Sequence, residues 1–376
     1  MTKIGILGGT FNPVHTEHIE MARRALLEMQ LDKLLVMPTY LPPHKEVIPA
    51  PSEDRLNMLR LAFENDEKIE VSDYEIAKQG KSYTYLTVEH FKQEQDCQLY
   101  FFVGGDMLTD FKTWRYPERI LAACNLCVFD RDDFYADYKA EQEYFIKNFG
   151  KDFIRLKYRG KNFSSTKIRI YTSLGLSIQG MTADSVAQYI KQTGLYSGDE
   201  LFEFVRNVLP EKRRIHTASV IEAALRKAKQ LKLETKKVLT AALLHDVAKY
   251  IDPTSVKGFT CPKDVPKPVV HAFLGAYVAE HILGIKDAEI IDAIRYHTSG
   301  KADMSVLGKL IFVADMVEEN RNYEGVEILR ELYEKADFEH CFIECLKEEF
   351  LHLQNKKQKI YIETVNAYNY YVKDQK

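Results

Sequence analysis

The first half of the chain alternates short apolar runs with segments of helical periodicity. The apolar runs predict strands at Lys3–Leu7, Lys33–Met37, Gln98–Val103, Asn125–Phe129 and Asp152–Lys157. Apolar residues spaced three and four positions apart predict helices at Glu17–Met29, Ser52–Ala62 and Tyr83–Gln93. Strands joined by crossover helices pair in parallel, so this half is predicted to be an α/β doubly wound parallel sheet of the Rossmann-like kind. Such sheets bind ligands at the carboxyl ends of their strands.

The pattern changes after Tyr196. Ser197-Gly198-Asp199 is a short turn signal, and we predict no strand beyond it. Helical periods predict helices at Pro210–Leu231, Thr235–Val247, Val269–Leu283, Ala288–His297, Met304–Glu319, Glu324–Ala336 and Phe338–Val372. The chain is therefore predicted to contain two domains, an α/β domain at residues 1–196 and an all-α domain at residues 197–376.

Composition is consistent with two globular domains and disfavours a nucleic-acid-binding or a membrane protein. Hydrophobic residues make up 45% of the 376 residues and charged residues 28%, so each half can bury a core. The net charge of −3 gives no general attraction to nucleic acid or to an anionic membrane. We find no membrane-spanning run and no signal-peptide pattern, and we expect a cytoplasmic protein. Cys124-x-x-Cys127 lies in an apolar run, which favours a buried strand over a metal or redox site.

A glycine pair directly follows the first predicted strand. Gly8 and Gly9 let backbone N–H groups approach a phosphate closely, and the start of the next helix adds a partial positive charge. His15 and His18 are three positions apart at that helix start, so both can point to the same side. Two imidazoles there can bind phosphate oxygens and stabilise the charge that develops on a leaving pyrophosphate.

A second phosphate-binding segment is predicted at the start of a later helix. Ser164, Ser165 and Thr166 favour the N-terminus of a helix, where unpaired N–H groups can hold a triphosphate. Arg169, one turn later, adds a charged hydrogen-bonding fork. Alone, such a segment is usually an ordinary capped helix, and its combination with the glycine loop favours the phosphate interpretation.

These motifs, in this order, resemble the HxGH nucleotidyltransferase superfamily and, within it, the nicotinate-nucleotide adenylyltransferases. The resemblance covers residues 1–196. It also includes the segments Pro42-Pro43-His44-Lys45, Arg55-Leu-Asn-Met58-Leu59, Ser82-Tyr83-Thr84, Gly104-Gly105-Asp106 and Phe163-Ser164-Ser165-Thr166-Lys167-Ile168-Arg169.

The resemblance implies transfer of AMP from ATP to nicotinate mononucleotide, with Mg²⁺ on the ATP, giving deamido-NAD and pyrophosphate. Implied catalytic residues are His15, His18, Lys45 and Arg169. Implied ATP-binding residues are Gly8, Gly9, Thr10, Phe11, His15, His18, Gly104, Asp106, Ser164, Ser165, Thr166 and Arg169. Implied nicotinate mononucleotide-binding residues are Lys45, Thr84, Tyr85, Trp114 and Arg131. The preference for nicotinate over nicotinamide is likewise implied by the resemblance alone.

Two positions depart from that family pattern. Glu17 stands where the family has a glycine between the paired histidines, which adds bulk and negative charge beside the ATP site. Leu86 stands where the family usually has an aspartate. One hypothesis is that Glu17 silences the first site, in which case Glu17→Gly restores activity.

In the second half, histidines and aspartates recur on separate predicted helices. They are His216, His245, Asp246, His271, His297 and Asp315. Imidazole and carboxylate ligands converging from facing helices favour Fe, Mn or Mg over a thiolate zinc site. Lys249 lies one helical turn beyond His245, so it can face the same pocket and hold a phosphate.

This order resembles the HD-domain phosphohydrolases over residues 200–335. The segments 293–300 and 314–321 are similar to the bacterial branch that splits diadenosine tetraphosphate symmetrically into two ADP. The resemblance implies that His216, His245, Asp246 and Asp315 bind one metal ion and that Asp246 bridges to a second, held by His271 and His297. Two such ions activate water for attack on phosphorus. Lys249 and Arg321 are implied phosphate ligands.

A different class of function remains open for the second half. It can be a regulatory module that binds metal and an adenine dinucleotide without turnover, although the complete ligand set with Lys249 favours catalysis. The C-terminal segment from Phe338 carries no motif. Its tyrosines favour helix packing or a homo-oligomer contact over a binding site.

Overall fold

The computed structural model describes residues 1–42, 50–94, 96–131, 137–161, 163–335, 337–357 and 359–373. The chain divides into two compact units. The first consists of residues 1–169 and 177–197, and the second of residues 170–176 and 198–376. None of the helices among the described residues combines the length and apolar character that a bilayer span requires.

The first unit contains a six-stranded parallel sheet with the strand order β3-β2-β1-β4-β5-β6. The strands are β1 (Thr2–Gly9), β2 (Lys33–Pro38), β3 (Ile69–Val71), β4 (Cys97–Gly104), β5 (Asn125–Arg131) and β6 (Ile154–Gly160). The order reverses between β1 and β4, and ligands of doubly wound sheets bind at such a reversal. Gly9 and Gly104, the last residues of these two strands, therefore lie at the binding edge.

Nine helices of the described chain belong wholly or partly to this unit. They are α1 (Thr16–Met29), α2 (Ser52–Ala62), α3 (Tyr74–Lys78), α4 (Thr84–Glu94), α5 (Gly105–Asp110), α6 (Pro117–Ala123), α7 (Tyr138–Phe149), α8 (Ser165–Ser173) and α9 (Asp184–Thr193). Alternate strand residues point to opposite faces, so Leu7 and Phe102 enter one core while Ile6 and Phe101 enter the other. The predicted α/β doubly wound fold is confirmed.

Several elements of this unit were not predicted from the sequence. The strand β3 has only three residues, too few for a pattern. Helix α7 buries Phe145 alone, so it has no apolar stripe. Cys127 lies in β5, and Cys124 directly precedes that strand. Both cysteines are buried, and burial raises the pKa of Cys124 to about 12. The interpretation of the cysteine pair as core residues is confirmed.

The described residues of the second unit contain no strand, which confirms the predicted all-α fold. The helices are α10 (Glu200–Val208), α11 (Glu211–Ala228), α12 (Thr235–Leu244), α13 (Val270–Tyr277), α14 (Ala288–Tyr296), α15 (Val306–Val317), α16 (Val326–Glu334), α17 (Phe338–Asn355) and α18 (Ile362–Tyr368). Helix α15 buries residues on nearly all its sides, so it forms the centre of the unit.

The prediction of one helix over Phe338–Val372 is wrong. Helix α17 ends at Asn355, and Lys357 adopts a left-handed backbone conformation with φ of 52°, which a helix cannot continue through. The apolar period does not reveal this break because both flanking helices bury residues. Tyr361 and Tyr371 are buried, and the Tyr371 hydroxyl accepts a hydrogen bond from the Met304 N–H. These two tyrosines therefore serve packing.

Candidate active sites

The loop between β1 and α1 holds the two histidines of the first site face to face. His15 is the N-cap of α1, and its Nδ1 accepts from the His18 N–H at 3.3 Å. In return, the His18 Nδ1 accepts from the His15 N–H at 3.3 Å. The two rings stack with their centroids 3.5 Å apart. This reciprocal capping fixes both imidazoles at the positively polarised end of the helix, where an anion binds favourably.

A cavity of about 210 Å³ opens beside these rings at the carboxyl ends of β1 and β4. Its predicted members are Gly8, Phe11, His15, His18, Gly104, Asp106 and Trp114. The Trp114 ring packs against Phe111, with the ring centroids 5.3 Å apart. The fold therefore brings the glycine loop, the paired histidines and the strand-end loop of β4 to one cavity, together with the predicted pyridine-stacking residue.

Other residues predicted for this site lie elsewhere. Thr84 and Tyr85 do not line the cavity, and the Tyr85 ring is buried beneath Tyr116 and the Arg119 guanidinium. Lys45 lies outside the described residues, together with the rest of segment 43–49. For Arg131 the structure describes only the backbone, at the end of β5.

The second phosphate segment lies against the glycine loop. The Ser165 hydroxyl donates to the Pro13 carbonyl at 2.7 Å, and the Ser164 Oγ caps helix α8 by accepting from the Lys167 N–H. The Arg169 guanidinium donates to the Asn12 carbonyl at 2.7 Å and to the Thr166 Oγ1 at 3.0 Å. Arg169 therefore holds the loop itself, a role that its spacing in the sequence does not reveal. Burial lowers the pKa of Arg169.

Arg55 is a buried cation whose role was not predicted. Its side chain is 1% exposed and donates to the carbonyls of Thr10 and Thr39 at 2.9 and 2.7 Å. A third bond reaches the Tyr40 carbonyl at 3.3 Å. These bonds join the loops that follow β1 and β2. The signal in the sequence is that Arg55 shares a face of α2 with residues that are otherwise buried and mostly apolar. Burial lowers the pKa of Arg55.

Glu17 is buried and its carboxylate is bound by groups near the end of β6. The Oε2 atom accepts from the Tyr158 hydroxyl at 3.0 Å and from the Lys161 N–H at 2.9 Å. Glu17 also lines the cavity. Part of its negative charge is therefore compensated by two donors, which the sequence alone did not suggest. Leu86 packs at the edge of a hydrophobic core.

In the second unit the five other predicted ligands converge around Asp246. The Oδ2 atom of Asp246 lies 3.8 Å from the His216 Nε2 and 3.7 Å from the His245 Nε2. Asp315 contacts the same group, with its Oδ1 at 3.0 Å from the His216 Nε2. The chain thus gathers three histidine or carboxylate side chains from α11, α15 and the turn after α12 on one side of Asp246.

The other oxygen of Asp246 faces a second histidine pair. Its Oδ1 lies 3.0 Å from the His271 Nε2 and 3.6 Å from the His297 Nε2. The two candidate metal groups are therefore His216, His245 and Asp246, and Asp246, His271 and His297, with Asp246 common to both. A carboxylate that offers one oxygen to each group has the geometry of a bridging ligand.

The far nitrogens of these rings are anchored by acceptors. The Nδ1 atoms of His245 and His297 lie 2.6 and 2.8 Å from the carbonyls of Ala242 and Ile294. The Nδ1 of His216 lies 3.1 Å from the buried carboxylate of Glu318. Acceptors at Nδ1 place the proton there and leave a lone pair on Nε2, as metal-binding histidines require. Glu318 lies in the segment 314–321 that resembles the family, but its supporting role was not predicted.

This arrangement of donor atoms fits divalent cations. With the proton on Nδ1, the His216 and His245 Nε2 atoms direct lone pairs at each other across 3.3 Å, a contact that a shared cation stabilises. The His271 and His297 Nε2 atoms are also 3.3 Å apart. The Oδ1 of Asp246 is buried and has no hydrogen-bond partner among the described residues. Imidazole and carboxylate together suit Fe, Mn or Mg.

Electrostatics in most of this cluster agree with that donor set. At His216 burial lowers the pKa, but the carboxylates of Asp315 and Glu318 outweigh burial and raise it. Burial lowers the pKa of His245 to about 3, so this ring is neutral and able to donate its lone pair. Burial opposes ionisation of Asp246, but its contacts with the surrounding imidazoles hold the pKa of Asp246 well below its usual range. Burial likewise opposes ionisation of Asp315, yet His216 and Arg321 keep the pKa of Asp315 low. Both carboxylates are therefore anionic.

Three cationic side chains border the cluster. Arg213 donates to the Asp246 Oδ2 at 2.7 Å, and Lys249 lies 3.6 Å from the Asp246 Oδ1. Arg321 binds Asp315 through both the side chain and the backbone carbonyl. Lys249 and Arg321 were predicted as phosphate ligands, whereas Arg213 was not. Its position three residues before His216, on the same face of α11, is the signal that could have found it.

A cavity of about 590 Å³ extends from this cluster. Arg213, Lys249 and Arg321 line it next to Asp246, His297 and Asp315. Its lining also includes Glu348, Glu349, His352 and Asn355 from α17. This segment carries no sequence motif, and the lining of the cavity by α17 was not predicted.

Comparison with known proteins covers both units. Residues 6–170 match the cytidylyltransferase-like family model and residues 213–320 match the HD domain model. A Mycoplasma pneumoniae protein named probable nicotinate-nucleotide adenylyltransferase/Ap4A hydrolase is 30% identical over 332 residues, covering 86% of this chain and 92% of the relative. A probable nicotinate-nucleotide adenylyltransferase of Clostridium tetani is 38% identical over 199 residues, covering 52% of this chain and 100% of the relative.

Among solved structures, one neighbour is described as a predicted HD superfamily hydrolase involved in NAD metabolism from Clostridium acetobutylicum. It is 26% identical, with a TM-score of 0.42, and it covers 47% of this chain and 97% of that one.

Proposed function

Because the chain belongs to the family of nicotinate-nucleotide adenylyltransferase/Ap4A hydrolase proteins, we propose that it is a bifunctional enzyme with one reaction in each half. Residues 1–196 form the adenylyltransferase domain and residues 197–376 the hydrolase domain. The first makes deamido-NAD and pyrophosphate from ATP and nicotinate mononucleotide. The second splits diadenosine tetraphosphate into two ADP. Neither reaction involves nucleic acid or a membrane, and both belong in the cytoplasm.

In the first reaction a phosphate oxygen of nicotinate mononucleotide attacks the α-phosphorus of ATP, and the bond to pyrophosphate breaks. Such an in-line displacement needs no enzyme nucleophile, so catalysis consists of positioning and charge stabilisation. The stacked pair His15 and His18 at the start of α1 carries this proposal, because it places two donors beside the polyphosphate. ATP enters with Mg²⁺.

The surrounding residues of the first site have separate roles. Gly8, Gly9 and Thr10 allow close backbone approach to the phosphates, and Ser164, Ser165 and Thr166 add the N-terminus of α8. Arg55 and Arg169 fix the shape of the glycine loop by binding its carbonyls. Trp114 offers a face on which the pyridine ring stacks. Lys45 and Arg131 are further contacts for the mononucleotide.

In the second reaction, water adds across the central phosphoanhydride of the dinucleotide, and each half leaves as ADP. Divalent metal ions, when bound, lower the pKa of water and neutralise phosphate oxygens. His216, His245, Asp246, His271, His297 and Asp315 hold them, and Fe, Mn or Mg are the ions proposed. The main support for this proposal is that Asp246 belongs to both candidate metal groups. Lys249 and Arg321 bind phosphate oxygens at the same cavity.

Two assays on one preparation test both reactions. The full chain is loaded with Mn²⁺ or Fe²⁺, and its metal content is measured. ATP plus nicotinate mononucleotide is expected to give pyrophosphate, and diadenosine tetraphosphate to give only ADP. Formation of AMP and ATP from the dinucleotide contradicts symmetric cleavage. If the metal-loaded protein binds the dinucleotide, leaves it intact and changes its adenylyltransferase rate, the second half is a regulatory module instead.

A further inference from the structure

The cavity of the second unit has two chemically different walls. Arg213, Lys249 and Arg321 lie beside the Asp246 cluster, where polyphosphate oxygens are attracted. The lining also contains the carboxylates of Glu348 and Glu349 on α17. Carboxylates repel phosphates, so the polyphosphate of a bound ligand lies at the cationic wall and an uncharged part of the ligand lies against α17.

The α17 wall is a continuous face of one helix. Glu348, His352 and Asn355 are spaced four and three residues apart, and Glu349 is three residues from His352, so all four share a side of the helix. Each carries a hydrogen-bonding group. The volume of about 590 Å³ falls within the range of about 300–1,000 Å³ typical of small-molecule sites.

The two carboxylates of this wall have no protein partner. Neither Glu348 nor Glu349 forms a hydrogen bond or an ion pair with the described part of the chain. By contrast Glu344, on the same helix but outside the cavity, pairs with Lys347 at 2.7 Å. Burial raises the pKa of Glu349, and the Asp315 carboxylate raises it further. A partly desolvated acceptor without a partner is costly unless a ligand donates to it.

An aromatic ring lies in the same lining. Tyr323 borders the cavity, and its hydroxyl donates to the Met316 carbonyl at 3.1 Å, which fixes the ring. A fixed aromatic face beside acceptors and an amide suits a flat heterocycle that carries amino groups. Asn355 can pair with two adjacent atoms of such a ring, as asparagine does with adenine.

We propose that the α17 wall, with Tyr323, is a binding subsite for an aminopurine base, in which Glu349 and Glu348 accept hydrogen bonds from the ring's amino or imino N–H groups. The subsite holds the base of a nucleotide whose phosphates reach Arg213, Lys249 and Arg321. This inference rests on the proposed hydrolase function for its placement of the phosphates. It adds the means by which the second half distinguishes a nucleotide from a plain polyphosphate.

The test measures binding, so it does not depend on turnover. The full chain with Mn²⁺ is titrated calorimetrically with ADP, GDP and inorganic pyrophosphate. Three variants are compared with the wild type: Glu349→Met and Glu348→Met, which keep side-chain length but remove the acceptors, and Glu344→Met as the matched control on α17. Nucleotide binding to the first unit is common to all four proteins and cancels in the comparison.

The Glu349→Met variant is expected to weaken binding of ADP or GDP by about tenfold, the effect of losing a hydrogen bond to a charged acceptor. The affinity of Glu349→Met for pyrophosphate is expected to be unchanged, and so are all affinities of the Glu344→Met control. Whichever of ADP and GDP binds more weakly to Glu349→Met identifies the purine. Equal weakening of pyrophosphate overturns the proposal, because the metal cluster is then disturbed. Unchanged purine affinity in both Glu349→Met and Glu348→Met also overturns it. Failure of the wild type to split the dinucleotide contradicts the hydrolase function alone.

Discussion

The first candidate site takes its glycine pair and both histidines from residues 8–18, whereas the second gathers six ligands from residues 216–315. In the first, a strand end and a helix start are covalently adjacent, so the geometry follows from one loop. In the second, apart from the neighbours His245 and Asp246, the ligands come together only when separate helices pack correctly. A local site is recognisable from a short motif, and an assembled site depends on the whole fold.

The arginines of the two sites differ in the same way. Arg55 and Arg169 donate to backbone carbonyls of the glycine loop, so they maintain its shape. Arg213 and Arg321 donate to the carboxylates of Asp246 and Asp315, so they balance charge. Substitution of Arg55 or Arg169 should therefore alter stability and substrate affinity together. Substitution of Arg213 or Arg321 should alter metal content and turnover.

The largest effect is expected from Asp246→Asn. Asp246 contacts both histidine pairs, so the change removes charge from both metal groups. Hydrolysis should fall on the order of 10³-fold, since each metal contributes several kcal/mol to the transition state. Metal content should fall in parallel, with adenylyltransferase activity retained. Asp292→Asn on α14 is the control, because this carboxylate pairs with Lys301 outside the cavity. Retention of full metal content and turnover would contradict the bridging role.

His18→Ala tests the first site and should lower adenylyl transfer while leaving hydrolysis intact, the opposite of Asp246→Asn. Loss of one charge-stabilising donor should reduce adenylyl transfer on the order of 10²-fold, mainly in kcat. Hydrolysis of the dinucleotide should be unaffected. His90→Ala, a histidine on α4 away from the cavity, is the control. A loss of both activities in His18→Ala would mean that the variant disturbs the fold and not the site.

Arg55→Met sharpens the contrast between loop-holding and charge-balancing arginines. Three carbonyls lose a buried donor, which should lower the free energy of unfolding of the first unit by about 2–3 kcal/mol. The only tryptophan, Trp114, lies in this unit, so its fluorescence in urea reports the transition. Arg60→Met, an exposed position on α2, should leave the urea midpoint unchanged. An unchanged midpoint in Arg55→Met would show that these bonds contribute nothing.

Glu318→Gln examines the support of His216. The Glu318 carboxylate accepts at the His216 Nδ1, and loss of its charge weakens the ligand. Metal affinity should fall about tenfold, the lower end of the range for such supporting groups. Glu319→Gln is the control, because the neighbouring carboxylate accepts from the Ser219 hydroxyl instead. Metal titration compares the two variants. Equal metal affinities of Glu318→Gln and Glu319→Gln would contradict a supporting role for Glu318.

The smallest effect on activity is expected from Glu17→Gly. The carboxylate accepts from the Tyr158 hydroxyl and the Lys161 N–H, so part of its charge is compensated. We expect the wild type to be active, and the variant to lose about 2–3 kcal/mol of stability because two bonds to the carboxylate are lost. Pyrophosphate release measures the adenylyltransferase activity, and Trp114 fluorescence in urea measures the stability of the first unit. An inactive wild type that Glu17→Gly restores would instead support the hypothesis that Glu17 silences the site.

The sequence predicted the central strands of the sheet and most helices of the second unit because buried elements leave a strong apolar period. It failed for β3, which is too short, and for α7, which buries only Phe145. It joined α17 to α18 because the break depends on a left-handed residue, Lys357, that no turn signal marks. The local conformation of a single residue is decided by packing that the pattern does not contain.

The sequence by itself determined the chemical groups: a glycine loop with paired histidines, and a set of imidazole and carboxylate ligands. These follow from residue types and from covalent neighbourhood. Only the tertiary structure decided that Arg55 and Arg169 bind loop carbonyls, that Glu17 meets Tyr158, and that α17 lines the second cavity. Such contacts join residues far apart in the chain, and they depend on how helices and strands pack, which periodicity along one element does not specify.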